Sequence, residues 1–504
     1  MKRTFKNLLG FNMIWSVLLA GLLLSGSVVA ADEETARALK LYEQHHYEEA
    51  SRLLHPVLPG LSGSSLFAAN LALGMIHLSS AKFYRDLYQT ALIIELDYLK
   101  QLGKQKTGAA SHLVELYLGK VLVQADKPAE AIPHLRRYIT FVGNKQPAKS
   151  LAEIELGVAY SRQKQTVQAN AIWAKLDNSS PKIKAALAAA YAYADMQKFK
   201  PANMADDALS VVKKQQTTPD SVMLRNLLRA YTYSGTNEKA LALLNSNEFK
   251  DASSVEKLGT SKTISFYDIS LLEDMFQSHL AAAVIHLERA NHDSTASSKA
   301  SYFLADAYLQ QGKPEAASRV AADFLSQKQI PEQYLDIARV YQASAQYKSG
   351  KQAEAMSGWV SLAERSTENP AILAEVMLAC AYTGADCANI ENIALTSTGK
   401  GEGKKFYPLN AALGKYYLST KDYSKALVYM EAGRDKANKN KIEANSPLVL
   451  VGLAEAYYHK KNYAENLEIY FELGKQFPVV RQIQEAMQGI YSMQQNSAGE
   501  VKIY

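Results

Sequence analysis

Few residues in this 504-residue sequence combine the types and spacings that bond-making or metal-binding chemistry needs. The only cysteines, Cys380 and Cys387, stand seven positions apart in LACAYTGADC. In an oxidising compartment such a pair can close a short loop as a disulfide, contributing at most about 2 to 3 kcal/mol. Two separate buried thiols are the alternative, and a CxxC redox or haem motif is absent. The adjacent His45 and His46 offer imidazole nitrogens to a metal, although an exposed polar pair at a helix turn has the same sequence. The run GKGEGKK, Gly399 to Lys405, has the glycines and lysines of a phosphate cradle but lacks the Walker spacing and follows no strand pattern. With no HExxH, GxSxG, EF-hand loop or paired CxxC, the sequence calls for no catalytic residue, no cofactor and no metal. A binding protein, not an enzyme, is the reading.

The elements that position any binding surface must fold from a chain that is 48% apolar and 21% charged, enough to bury a large core. Three of its 56 basic residues, Lys2, Arg3 and Lys6, fall in the first thirty positions, which leaves the remainder at a net charge of +3. A near-neutral chain gives no footprint for nucleic acid. Those thirty residues carry a basic start, an apolar stretch from about Leu8 to Leu24 and small residues at Val28 and Ala30. They predict a secretory signal peptide (1–30) cleaved after Ala30, the alternative being an uncleaved anchor and the only contact with a membrane. No cysteine stands just after the apolar stretch, so a lipoprotein is not expected.

One spaced pattern then recurs to the C-terminal end. It sets a small residue at an origin, an aromatic or aliphatic at three, Gly, Lys or a polar residue at seven, Ala at twelve, a bulky apolar at sixteen and sometimes Pro at twenty-four. Gly157, Tyr160, Lys164, Ala169, Trp173 and Pro181 fill all six positions. Further copies start at Ala38, Gly119, Leu228, Ala305, Ala343, Gly414 and Ala454. The small residue lets two helices cross closely, the residue at seven breaks the first helix so that the chain reverses, and the alanine completes the contact from the second helix. Each unit is then a helical hairpin that must stack on its neighbours to bury both faces.

These residues resemble tetratricopeptide repeats over roughly residues 35 to 495, although spacings of 38 (Gly119 to Gly157) and 40 (Gly414 to Ala454) exceed the usual period of about 34. The resemblance implies an all-α, right-handed superhelical solenoid of about twelve antiparallel hairpins, degenerate near Gly74, near Ala190 and from Asn245 to Ala300. The organisation expected is an N-terminal block (31–245), a loop (246–265), a central block (266–394), a loop (395–408), a C-terminal block (409–495) ending in a capping helix near Gln482 to Met493, and a tail (496–504). Tyrosines at the crossing, Tyr160, Tyr231, Tyr308, Tyr382, Tyr417 and Tyr457, are expected in the core. In such repeats partners lie along a concave groove of first helices, which places Glu115, Lys120, Arg162, Arg225, Arg229, Tyr302, Asp306, Tyr347, Lys415, Glu455 and Tyr458 near it. Arg225 and Arg229, one turn apart, could grip a carboxylate or anionic glycan together, or make local ion pairs. The function expected is a periplasmic scaffold or adaptor for protein partners in an envelope, secretion, pilus or polysaccharide-export assembly. The alternative is direct binding of polysaccharide or peptidoglycan, which predicts tyrosines clustered on the groove.

Overall fold

The computed structural model describes residues 31–104, 110–176, 179–244, 246, 256–261, 264–291, 297–327, 332–399, 406–434, 446–477 and, singly, 480, 484 and 491. The expected signal peptide, the Gly/Lys run after Gly399, the tail and nearly all of the expected capping helix lie outside these residues.

Twenty-two α-helices account for most of the described chain. The first hairpin is α1 (Ala31–Glu43) and α2 (Tyr47–Leu54), followed by a single long helix, α3 (Gly63–Lys104). Four hairpins come next: α4 (Ala110–Gln124) with α5 (Pro128–Val142), α6 (Ala148–Arg162) with α7 (Thr166–Trp173), α8 (Pro181–Tyr193) with α9 (Pro201–Lys214), and α10 (Ser221–Tyr233) with α11 (Asn237–Leu244). A second unpaired helix, α12 (Ser270–Asn291), precedes five more hairpins. These are α13 (Ser297–Gln310) with α14 (Pro314–Leu325), α15 (Glu332–Lys348) with α16 (Gln352–Arg365), α17 (Pro370–Thr383) with α18 (Ala388–Thr398), α19 (Tyr407–Ser419) with α20 (Tyr423–Gly433), and α21 (Pro447–His459) with α22 (Tyr463–Gln476). The fold is a tetratricopeptide-like array of stacked helical hairpins.

The offset rules have direct structural counterparts. A side-chain carbon on Gly119 would come 2.6 Å from Leu135, and one on Gly414 2.7 Å from Met430, so the residue at the origin is small because the residue at sixteen packs on its backbone. Gly157 bears on the Trp173 indole in the same way. Both tryptophans at offset sixteen are buried, and each satisfies its ring N–H on the carbonyl three residues before the crossing, Trp173 on Ile154 at 3.1 Å and Trp359 on Val340 at 3.3 Å. The residue at seven adopts left-handed backbone in all eight copies, with φ between +55° and +88°, as at Lys164 (60°), Lys421 (64°) and Gly350 (88°). Pro181, expected to end a second helix, instead opens α8 at its first turn, where its missing N–H costs nothing.

Three expectations are corrected. The degenerate unit near Gly74 is not a hairpin but the 42-residue α3. At Ser79 and Ser80 the chain does not turn: Ser80 Oγ donates back to the Ile76 carbonyl at 2.9 Å and the helix runs on. One 18-residue-or-longer stretch of α3, Gly63–Gln101, is apolar enough to cross a membrane, and 78% of its most apolar window is buried in the protein, as in a core helix. The second correction falls in the expected loop 246–265. There an antiparallel ribbon pairs β1 (Glu256–Ser261) with β2 (Ile264–Asp268), Lys257 opposite Tyr267 and Ser261 opposite Ile264, with a bulge between Lys257 and Gly259. The run ISFYD, β-branched and aromatic, carried that signal. The third concerns number and grouping. Ten hairpins form among the described residues, where about twelve were expected along the chain, and the compact units are not consecutive blocks. Asp86 and the described residues before it join Ala282–Gln476 in one unit, and Leu87–Ala281 form the other with the residues described from Phe477 onward.

Candidate binding groove

In the unit built on Leu87–Ala281, the first helices of four successive hairpins line a cavity of about 230 Å³. With Ala188, buried and followed seven residues later by Asp195 at φ 53°, as the crossing residue of α8, its wall follows a register: Tyr117, Glu155, Ala186 and Asn226 stand two residues before the crossing position, Lys120, Val158, Ala189 and Arg229 one after, and Gln124, Tyr193 and Tyr233 five after. Offsets of three and seven bring these side chains onto one helix face. Of the residues predicted for the groove, Lys120, Arg225 and Arg229 line it. The sequence reading missed Glu155, Tyr193 and Tyr233, although the same register, applied to every copy, would have marked them.

The two arginines do not wait for a ligand. Arg229 holds Asp274 of α12 through two contacts, Nε to Oδ1 at 2.6 Å and Nη2 to Oδ2 at 3.3 Å, and Asp274 is 1% exposed. Burial dominates there: it lifts the Asp274 carboxyl to about 6 even though Arg229 and Arg225 both pull it down. The local ion-pair reading is therefore the one realised for Arg229, and Arg225 itself is buried. Glu115 is engaged by His134 at 2.7 Å and Arg137 at 2.8 Å. Its carboxyl lies below the usual range because these partners outweigh its partial burial. Lys120 reaches Glu155 at 3.9 Å. Arg162 is exposed and lies 4.3 Å over the ring of Tyr193, which meets Tyr233 edge-on at 5.1 Å.

In the other unit the corresponding face is covered. Asp306 of α13 and Lys415 of α19 each follow a crossing position by one residue, yet both are buried, which corrects their placement as groove-facing residues. The first part of α3 lies on them: Lys82 pairs with Asp306, and Asp86 accepts from Lys415 at 3.2 Å, from Arg85 at 2.9 Å and from the Tyr382 hydroxyl at 3.4 Å. Burial would raise the Asp86 carboxyl, but Lys415 and Arg85 hold it below its ordinary value. Glu375 nearby is pushed up to about 7 by burial, with Lys82 lowering it and Asp306 raising it. Tyr302 and Tyr458 are buried as well. Tyr347 stacks on Trp359 at 5.6 Å, and Glu455 is half-buried.

The crossing tyrosines do more than fill core. Tyr231 donates to Asp206 at 3.0 Å, Tyr308 to Glu288 at 2.6 Å, Tyr417 to Glu391 at 2.5 Å and Tyr457 to Glu431, each acid lying on the helix just before the tyrosine's own hairpin. Cys380 and Cys387 form a disulfide at the α17–α18 turn with both residues fully buried. His45 is buried at the first turn and His46 lies 3.6 Å from Glu49, so the two do not converge on a common point.

No protein-family model matches this sequence, and comparison with curated proteins gives no match. Among solved structures the chain is similar to yeast Tom70, with 11% identity over 93% of this chain and 96% of that one and a TM-score of 0.31. It is also similar to the Cut9–Hcn1 hetero-tetramer of the APC/C (12%, 91% and 96%, TM-score 0.27) and to a Rap protein complexed with competence and sporulation factor (10%, 74% and 99%, TM-score 0.27). At scores this low the fold rests on the hairpins themselves.

Proposed function

We propose that this chain is an exported, periplasmic scaffold that binds a helical segment of a protein partner in the groove of α4, α6, α8 and α10, as part of an envelope assembly, and that it catalyses no reaction. One observation carries the reading. The face that is open in this unit is, in the other unit, the face on which the chain's own helix α3 lies, fixed by Lys82–Asp306 and Asp86–Lys415. A groove of this register thus takes an amphipathic helix whose charges meet the residue after each crossing. The N-terminal pattern of the sequence and the buried Cys380–Cys387 disulfide support an oxidising compartment outside the cytoplasm.

Polysaccharide binding would use the tyrosines of the groove, Tyr117, Tyr193 and Tyr233. Their surfaces are already engaged: Arg162 covers Tyr193, and the Tyr233 hydroxyl donates to Glu273 at 3.2 Å. The test is affinity capture of the tagged protein from gently crosslinked envelope, beside a Lys120→Glu/Asn226→Arg variant. A stoichiometric protein partner that the variant loses at least tenfold, with helicity by circular dichroism unchanged, is expected. Enrichment of glycan without protein, or capture that the variant leaves untouched, overturns the reading.

A further inference from the structure

Three histidines that are far apart in sequence meet beside the first hairpin: His55 at the C-terminal end of α2, His77 on α3 and His286 on α12. One ring nitrogen from each lies within 4.8 Å of the other two. The packing that assembles them begins at Gly74, where a side-chain carbon would stand 2.5 Å from Leu287, so α12 can press against α3 only because this position has none. That contact sets His286, the neighbour of Leu287, beside Asn70 and His77, which share a face of α3 seven residues apart. The rings of His77 and His286 stack at 5.8 Å with 5° between their planes.

The hydrogen bonds fix which nitrogen of His286 holds the proton. The Asn70 amide nitrogen donates to the Leu66 carbonyl at 2.8 Å, which orients its oxygen toward His286. Nδ1 of His286 lies 2.9 Å from that oxygen and must therefore be the N–H. Nε2 is left with a lone pair, is buried in a residue 1% exposed, and meets no hydrogen-bond partner among the described residues. A ring N–H held by a carbonyl, with the other nitrogen bare, is how a metal-binding imidazole is oriented. His55 Nε2 and His77 Nε2 stand 3.3 Å apart, and Ser51 Oγ is also 3.3 Å from His77 Nε2. Two ligands of a tetrahedral zinc ion with metal–nitrogen bonds near 2.0–2.1 Å lie about 3.3 Å from each other. Two corners of a tetrahedron are thus already at ligand spacing, and a His286 ring nitrogen lies within 4.8 Å of both.

We propose that His55, His77 and His286 form a binding site for a divalent d-block metal ion of borderline softness, zinc foremost, with Ser51 or a water at the fourth position. An all-imidazole set without a carboxylate favours such an ion over calcium or magnesium, which take oxygen ligands. His55 is half-buried, so the site reaches solvent on one side, while His77 and His286 close the other. The ion would tie the first hairpin to α3 and α12 within one unit.

The experiment is calorimetric titration of the chelator-treated full chain with Zn²⁺, followed by Co²⁺ absorption and metal-edge X-ray spectroscopy. One ion per chain, an intense tetrahedral Co²⁺ spectrum and a shell of three nitrogens are expected. His55→Ala should weaken binding at least 100-fold, and Asn70→Ala, which frees the His286 ring, about tenfold. A His45→Ala/His46→Ala variant should bind as the parent does. His55 lies at a helix end and is not deeply buried, so its variant keeps the test informative even if His77→Ala or His286→Ala fails to fold. A folded chain that takes up no Zn²⁺ at micromolar concentration, or one whose binding His55→Ala leaves intact, overturns the proposal.

Discussion

Lys164, Lys421 and Lys461 hold left-handed backbone, with φ of 60°, 64° and 62°, at turns where three other copies of the repeat use glycine at Gly235, Gly312 and Gly350. A side-chain carbon makes that conformation cost roughly 1 kcal/mol, which glycine avoids while losing more freedom on folding. Lys421→Gly should therefore stabilise the protein by about 0.5 kcal/mol, read as a higher urea midpoint, whereas Lys421→Val should lower the midpoint by more. A drop with glycine would show that the lysine side chain has a role of its own. At this scale the sequence was most legible, because a turn needs one unusual φ and few residue types supply it. Asp274 and Glu375 were not legible, since what moves their carboxyls is burial among residues far away in the chain.

Close crossing at offsets zero and sixteen is the strongest rule of the hairpin, and Gly157 with Trp173 is its most crowded instance. Gly157→Ala must displace the indole and its bond to the Ile154 carbonyl, and should destabilise by about 2 to 3 kcal/mol in chemical denaturation, with a shift in tryptophan fluorescence. The Gly157→Ala/Trp173→Leu double variant should be less destabilised than the two single changes added together, and strict additivity would refute the crossing argument. Hairpins were readable because the pattern repeats. The long helices α3 and α12 were not, since they contain no break and the pattern had none of its anchors there. The tyrosine-to-acid bonds between successive hairpins also escaped the reading, as each spans 20 to 26 residues and uses either Asp or Glu.

At the scale of the whole molecule, each unit holds, among its described residues, a carboxyl whose affinity for protons is raised by desolvation: Asp274 to about 6 in one, Glu375 to about 7 in the other. A folded state that holds a proton more tightly than the unfolded chain loses stability as pH rises from the unfolded value, near 4 for these groups, through the folded one. Stability should thus fall between about pH 5 and pH 7.5, by the order of 2 kcal/mol for Glu375, discounted because its side chain is only part-buried by area. Glu375→Gln should flatten that slope in denaturation at the two pH values, and an unchanged slope would mean that Glu375 is already ionised at pH 5. The groove was partly legible in the sequence: the register found Lys120, Arg225 and Arg229 but could not tell an open face from the one that α3 covers.

That covering has a consequence for how the polypeptide is made. Residues up to Asp86 complete a unit with residues that begin at Ala282. At a synthesis rate of roughly 5 to 20 residues per second, Ala282 is added about 10 to 40 s after Asp86. For that interval α1, α2 and the start of α3 are without the helices that complete their unit, so their apolar sides stay open to a holding chaperone until Ala282 and the residues after it emerge.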